Sequence, residues 1–222
     1  MSDAENFTLT LADADTMADL RTFLARARSI LDGDIALVAR GAAIAVYVPV
    51  LQPQGLGEGT PTVLGMRAFG LGQSAELTGV FGLGALTDRL ARMNPVDTAL
   101  QLPPAESRAA WAGVLPPVAG WEPVGEYDGA TLVAIADAGT RAVVEALPPN
   151  AGQPVLATVR SRIWAEPLAD GPAPDVPQAV AFGAQALGFL PDSGSVRVLG
   201  NGTWRRFSTP AGHIVTRPGA RL

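Results

Sequence analysis

Lysine and cysteine are absent from this 222-residue chain, and histidine occurs once, as His213. Without lysine the chain has no P-loop lysine, no Schiff-base lysine and no kinase strand lysine. Without cysteine it has no disulfide, thiolate nucleophile, iron–sulfur cluster or thiolate zinc site. A single histidine also excludes a two-histidine metal site within one chain. We therefore expect no metal and no cofactor.

The sequence also lacks long hydrophobic runs and a start typical of secretion. Residues 1–6 are polar and acidic, the opposite of a signal peptide. The longest stretch without charge, residues 41–57, is broken by Pro49 and Pro53 and is too short to span a bilayer. Its 48% hydrophobic and 17% charged content is typical of a packed globular protein. These features predict a cytoplasmic protein that does not enter a membrane.

Charge is unevenly distributed along the chain. The net charge of −5 and the isoelectric point near 4.9 disfavour general binding to nucleic acid. No acidic residue follows Asp192, whereas five arginines do, so the tail carries +5 and the preceding residues carry −10. The carboxyl-terminal segment is therefore the place to look for an anionic partner.

Residues 1–95 predict an α+β domain, an antiparallel sheet packed with helices. Asp15 or Thr16 can cap a first helix, and an apolar stripe then recurs at helical spacing at Leu20, Phe23, Leu24, Ala27 and Leu31. Apolar, β-branched runs at 35–40, 42–51 and 62–71 predict three antiparallel strands, and residues 83–93 a second helix.

Two patterns in this domain have functional and structural interpretations. Residues 70–75 match a dinucleotide-type G-x-G-x-x-A. A dinucleotide site needs a βαβ unit, whereas the predicted sheet is antiparallel and further glycines interrupt the segment. These features favour a glycine-rich turn. Asp13, Asp15 and Asp19 could be drawn as a metal site, but carboxylates at a helix start are more often caps.

Residues 96–121 predict a packed, proline-rich connector with one short helix at 105–112. Its apolar residues include Trp111 and Trp121, which favour a segment anchored between domains over a free linker. The other interpretation is that the two tryptophans line a ligand site. Residues 122–222 then predict helices at 129–146, 154–164 and 176–187, followed by a β-hairpin over 196–207.

The hairpin carries the most specific signal in the chain. Asn201 and Gly202 are suited to the centre of a two-residue turn, and that turn would place Arg197 opposite Arg206. Two opposed arginines splay into water or hold an anion between them. We predict a partner-binding surface composed of Arg197, Trp204, Arg205, Arg206 and Arg217.

Two resemblances concern the carboxyl-terminal half. The segments at 120–125, 160–164, 181–190 and 208–213 resemble a family of uncharacterised actinobacterial proteins of similar length, a resemblance that implies no activity. Three helices followed by a wing also look like a winged helix-turn-helix, although the third helix, 176–187, carries no arginine for reading bases. Arg160 and Arg162 could join the wing in holding phosphates.

Three functional hypotheses follow from these patterns. We favour a non-catalytic interaction module that offers the arginine and tryptophan surface to an acidic protein, to its own amino-terminal domain or to another copy in a homo-oligomer. The alternative is a DNA-binding transcriptional regulator that uses the wing of its winged-helix carboxyl-terminal domain, with an amino-terminal domain that senses a ligand or dimerises. An enzyme pairing His213 with Ser208 or Ser161, or using the acids Glu122, Glu126 and Asp128, is the least favoured, because no nucleophile motif is present.

Overall fold

The computed structural model describes residues 7–30, 33–53, 58–103, 109–168, 170–191 and 193–219. Within these ranges the helices are α1 (Ala14–Ile30), α2 (Leu83–Arg92), α3 (Gly129–Ala146), α4 (Gln153–Trp164) and α5 (Ala179–Ala186). The strands are β1 (Thr8–Thr10), β2 (Asp34–Leu51), β3 (Thr62–Gly82), β4 (Ala99–Gln101), β5 (Glu122–Asp128), β6 (Ser195–Asn201), β7 (Trp204–Thr209) and β8 (Gly212–Arg217). The predicted α+β class is confirmed.

The chain forms two compact units. The first contains Met1–Val48 and Met66–Val114, and the second contains Pro49–Gly65 and Leu115–Leu222. Strands β2 and β3 therefore each contribute residues to both units.

In the first unit, helix α1 follows the predicted apolar stripe and buries Phe23 and Leu24 among others. Its cap is Asp13, whose carboxylate accepts a hydrogen bond from the Thr16 backbone N–H at 2.7 Å. The prediction of Asp15 or Thr16 as the cap was wrong by a few positions. The interpretation of the early aspartates as caps holds for Asp13, while Asp19 forms an ion pair with Arg67. Predicted residue Leu31 lies outside the described ranges.

The strands of this unit are longer than predicted. The two predicted strands at 35–40 and 42–51 are one strand, β2, with Gly41 at φ +60° in its middle. The G-x-G-x-x-A pattern lies inside β3, so the expected glycine-rich turn is wrong. Gly72 serves a close approach instead, because a Cβ there would lie 3.0 Å from the Leu11 carbonyl oxygen. Small residues let the β1–α1 connection cross β3.

In the second unit, α3 and α4 match the predicted helices within one residue. Asp128 caps α3, since its carboxylate accepts a hydrogen bond from the Thr131 backbone N–H at 3.0 Å. The third helix, α5, is shorter than predicted and ends at Ala186.

The short connector helix predicted at 105–112 falls partly outside the described residues, which show a 3-10 helix at Ala110–Gly113.

The predicted hairpin is the centre of a larger sheet. Among the described residues the strand order is β2-β3-β8-β7-β6-β5, and β5 to β8 pair antiparallel with their neighbours in sequence. The sequence predicted three helices followed by a two-stranded wing. The structure adds two strands to this arrangement, β5 before the helices and β8 after the hairpin. Val198, Phe207 and Ile214, one from each of β6, β7 and β8, are buried in the core, and α5 packs against β8.

The hairpin register differs from the predicted one by two residues. Asn201 pairs with Trp204, so the turn is Gly202-Thr203, and Arg197 faces Ser208 while Leu199 faces Arg206. The predicted Arg197–Arg206 pair is therefore wrong. Gly202 has φ +55°, the left-handed conformation that a type II′ turn needs at its first central residue. Because side chains alternate with period two, a shift of two leaves every residue on its predicted face.

Candidate functional site

The five predicted partner-binding residues lie on two faces of the sheet. Arg197, Trp204, Arg206 and Arg217 share one face with His213, as the β6–β7 and β7–β8 registers require; we call it the arginine face. Arg205 lies on the other face, opposite Gly200 and Thr216. The structure thus brings together four of the five predicted residues.

Trp204 is buried within the arginine face and contacts Arg217. Its side chain is only 6% exposed, and the Arg217 guanidinium carbon lies 5.6 Å from its ring centroid. A tryptophan ring attracts a cation over its face. Burial leaves little of the ring for a partner, so Trp204 acts through the position of Arg217.

Arg206 lies over a second tryptophan, Trp121. The guanidinium carbon is 4.6 Å from the Trp121 ring centroid, and the indole N–H donates to the Pro117 carbonyl at 2.9 Å. A hydrogen bond from the Asn201 amide to the Ala119 carbonyl, 2.8 Å long, holds the same segment against the hairpin. Sequence reasoning noted Trp121 as an anchor or ligand-lining residue but could not pair it with Arg206, because 85 positions separate them.

Two arginines on this face each have a buried nitrogen that finds no acceptor among the described residues. The Nε atoms of Arg206 and Arg217 are both buried and have no hydrogen-bond partner. The ion pairs found among the described residues, Arg40–Glu76 and Arg67–Asp19, both lie elsewhere. Glu126 stands opposite Arg197 in the β5–β6 register without forming an ion pair. Buried polar groups in native proteins are normally paired, so these guanidinium groups are suited to an external acceptor.

The pKa of His213 is affected by the positive charge of this face. Burial, and then the nearby Arg206 and Arg197, lower the pKa of His213 from 6.5 to about 4. Its Nδ1 lies 3.0 Å from the Ser208 hydroxyl oxygen, one of the two serines considered for a nucleophile and base. An imidazole with this pKa is a weak base at neutral pH, so the pair is poorly suited to activate a hydroxyl.

The remaining candidate arginines take other positions. Arg160 lies over the Phe182 ring at 5.4 Å, and burial lowers its pKa. Arg205 donates through Nη1 to the carbonyls of Gly202 at 2.9 Å and Trp204 at 3.0 Å. Within the described ranges, no cluster of three or more acidic or histidine side chains could hold a metal. The described helices are all too short or too polar to cross a bilayer.

The fold is similar to that of DNA sliding clamps. Matching structures include the Caulobacter crescentus DNA polymerase III β subunit, with 14% identity and a TM-score of 0.52, and the Bartonella birtlesii DnaN sliding clamp bound to griselimycin, with 9% and 0.52. Each alignment covers 97% of this chain but 66% and 65% of the respective clamp. At this identity the likeness concerns the fold alone.

In the sequence comparisons, two different family models match, one in each half of the chain. No curated protein sequence matches. Residues 4–113 match the family model of a domain of unknown function, DUF8010, and residues 116–221 match that of a second domain of unknown function, DUF8185.

Proposed function

We propose that this protein is a non-catalytic interaction module whose arginine face binds an acidic segment of a partner protein. The observation that carries the proposal is the lack of hydrogen-bonding and ion-pair partners for the Arg206 side chain in the described part of the chain. Its Nε is buried without a hydrogen-bond partner, and the described residues place no carboxylate in an ion pair with it. A buried N–H group without an acceptor is costly, and a carboxylate from a partner that pairs with the Arg206 guanidinium would supply one.

The positive charges next to Arg206 also favour an anionic partner. The pKa of Arg206 lies below its usual value, first because burial disfavours the charged form and then because the Arg197 guanidinium repels it. The depressed pKa of His213 arises partly from the same two arginines. A carboxylate placed between Arg197 and Arg206 would relieve this repulsion and form charge-assisted hydrogen bonds.

The surroundings of Trp121 add apolar contact area. Val118 is 84% exposed and lies three residues before Trp121, on the segment that the Asn201 amide holds against the hairpin. Arginine and tryptophan flanked by apolar residues are the composition of binding hot spots. The fold agrees with an interaction role, since matching structures include a subunit of DNA polymerase III.

Affinity capture from native lysate tests the proposal. The bait is the full chain, compared with the double variant R197Q/R206Q and with the control R89Q/R92Q, which removes the same charge from the last turn of α2. We expect partners held by wild type and by the control to be lost from R197Q/R206Q, and acidic proteins to be enriched among them. Identical partners and an identical oligomeric state for all three proteins would reject the arginine face.

DNA binding is a second candidate, favoured by the sliding-clamp fold. The arginine face would then contact phosphates, and affinity for duplex DNA would fall steeply with salt. The net charge of −5 opposes this function, which is why we rank it second.

A further inference from the structure

A cleft of about 270 Å³ lies in the second unit, on the side of the sheet to which Arg205 points. Its polar lining comprises Arg205, Arg217, Asp175, Thr203 and Thr216. The arginine face lies on the opposite face of β7 and shares only Arg217 with the lining of this cleft.

The charges in the cleft are arranged for an anion. Two arginines and one carboxylate give it a net charge of +1, and Asp175 forms an ion pair with neither arginine. Arg205 is held in place because Nη1 donates to two carbonyls of the adjacent turn and strand. A guanidinium fixed before binding loses less side-chain entropy when it meets a carboxylate or a phosphate.

Two further polar atoms at the cleft lack partners. The hydroxyl of Thr216 is buried in a residue that is 2% exposed, and it has no hydrogen-bond partner. The Nε of Arg217 is buried in the same way. Buried polar atoms without partners at the lining of a cleft are expected where a bound molecule completes the hydrogen bonding.

Proline is frequent in the apolar walls of the cleft. Four prolines and Val176 line it, and the backbone N–H of Leu168 donates to the Val176 carbonyl at 2.8 Å beside the bridge between Pro167 and Pro177. Proline fixes its backbone φ, so the chain has little conformational freedom at these four positions. At about 30 Å³ for each water, the volume corresponds to roughly nine waters, or one small organic molecule.

We propose that this cleft binds a small oxyanion, a carboxylate or phosphate carried on a compact apolar body, with Arg205 as the principal contact. The carboxylate and the phosphate share the chemistry that a planar guanidinium reads with two hydrogen bonds. The prolines would contact the apolar part of the ligand, and Asp175 would disfavour ligands with a second negative charge near that wall.

Isothermal titration with sodium butyrate, a monocarboxylate with a short apolar body, and with inorganic phosphate, at matched ionic strength, tests this site. We expect saturable binding of at least one anion to wild type, at least tenfold weaker binding to R205Q and unchanged binding to the arginine-face control R197Q. Binding of butyrate alone identifies a carboxylate ligand, and binding of phosphate alone identifies a phosphate ligand. Absence of saturable binding by either anion, or equal affinity for R205Q, would overturn the proposal.

Two more variants keep the test decisive if R205Q unfolds. R205K retains a donor for the turn carbonyls and the positive charge but loses the planar fork, so we expect binding about tenfold weaker. D175N removes a like charge facing the anion and should tighten binding about threefold. Unchanged affinity in R205K, or weaker binding in D175N, would contradict the assignment. Because R197Q belongs to the other face, failure here leaves the proposed function standing.

Discussion

His213 is the residue at which the electrostatics of the arginine face can be measured directly. We expect its imidazole to titrate near pH 4 in the folded protein, because burial and the charges of Arg206 and Arg197 oppose protonation. Two-dimensional NMR of the ring protons against pH gives this value. In R206Q the pKa should rise toward 6.5, whereas in R40Q, far along the chain on β2, it should not change. Titration of wild type near pH 6.5 would contradict the described environment.

The same shift makes folding stability depend on pH. The unfolded chain takes up the His213 proton near pH 6.5 and the folded chain near pH 4, so the contribution is complete above 6.5 and is lost as pH falls toward 4. After discounting for the partial exposure of the ring, this loss amounts to roughly 1–2 kcal/mol.

At the scale of elements, the helices of the second unit pack closely because small residues lie at their contacts. A Cβ on Gly139 of α3 would lie 2.4 Å from a carbon of the Trp164 ring, which stacks on Phe182 at 4.5 Å between centroids. Glycine is unfavourable inside a helix, and here its cost permits the approach of α4.

Replacing Gly139 with alanine therefore tests that packing. On an exposed helix the change would stabilise by about 1 kcal/mol, but here the added methyl displaces an aromatic ring and should destabilise by about 1–3 kcal/mol. Urea unfolding followed by tryptophan fluorescence measures the difference. The matched control is Gly82→Ala at the start of α2, where a Cβ meets nothing within 4 Å. A neutral Gly139→Ala would mean that Trp164 moves freely.

The hairpin shows how far local signals reach at this scale. The alternation of apolar and charged residues from Val196 to Phe207 predicted the two faces correctly. The turn did not follow the preferred Asn-Gly pair and formed one residue later, at Gly202-Thr203. Pairing of β6 with β5 and of β7 with β8 determines the register, and those strands lie outside any local window.

For the whole molecule, net charge governs association with nucleic acid. We expect no measurable binding of random duplex DNA at physiological salt, because the chain carries −5 and only the segment after Asp192 is basic. Fluorescence anisotropy of a labelled duplex measures this at low and at physiological salt. Binding that persists at physiological salt and is lost in R197Q/R206Q would replace the protein-interaction proposal with the DNA candidate.

Several expectations from the sequence stay predictions at this scale. These are the division at residues 95 and 121, the cytoplasmic location, the actinobacterial resemblance and the choice among an acidic protein, the amino-terminal domain and a second copy as partner. The capture experiment bears on the last of these.

The sequence by itself determined the α+β class, the apolar stripe of α1, the spans of α3 and α4 and the face on which each hairpin residue lies. These follow from periodicity, which depends on residues a few positions apart. Tertiary structure alone decided the strand register, the burial of Trp204 beneath Arg217, the contact of Trp121 with Arg206 and the separation of Arg205 into the cleft. The reason is physical: cross-strand pairing and burial join residues distant in the chain, and the energy of those contacts overrides local preference.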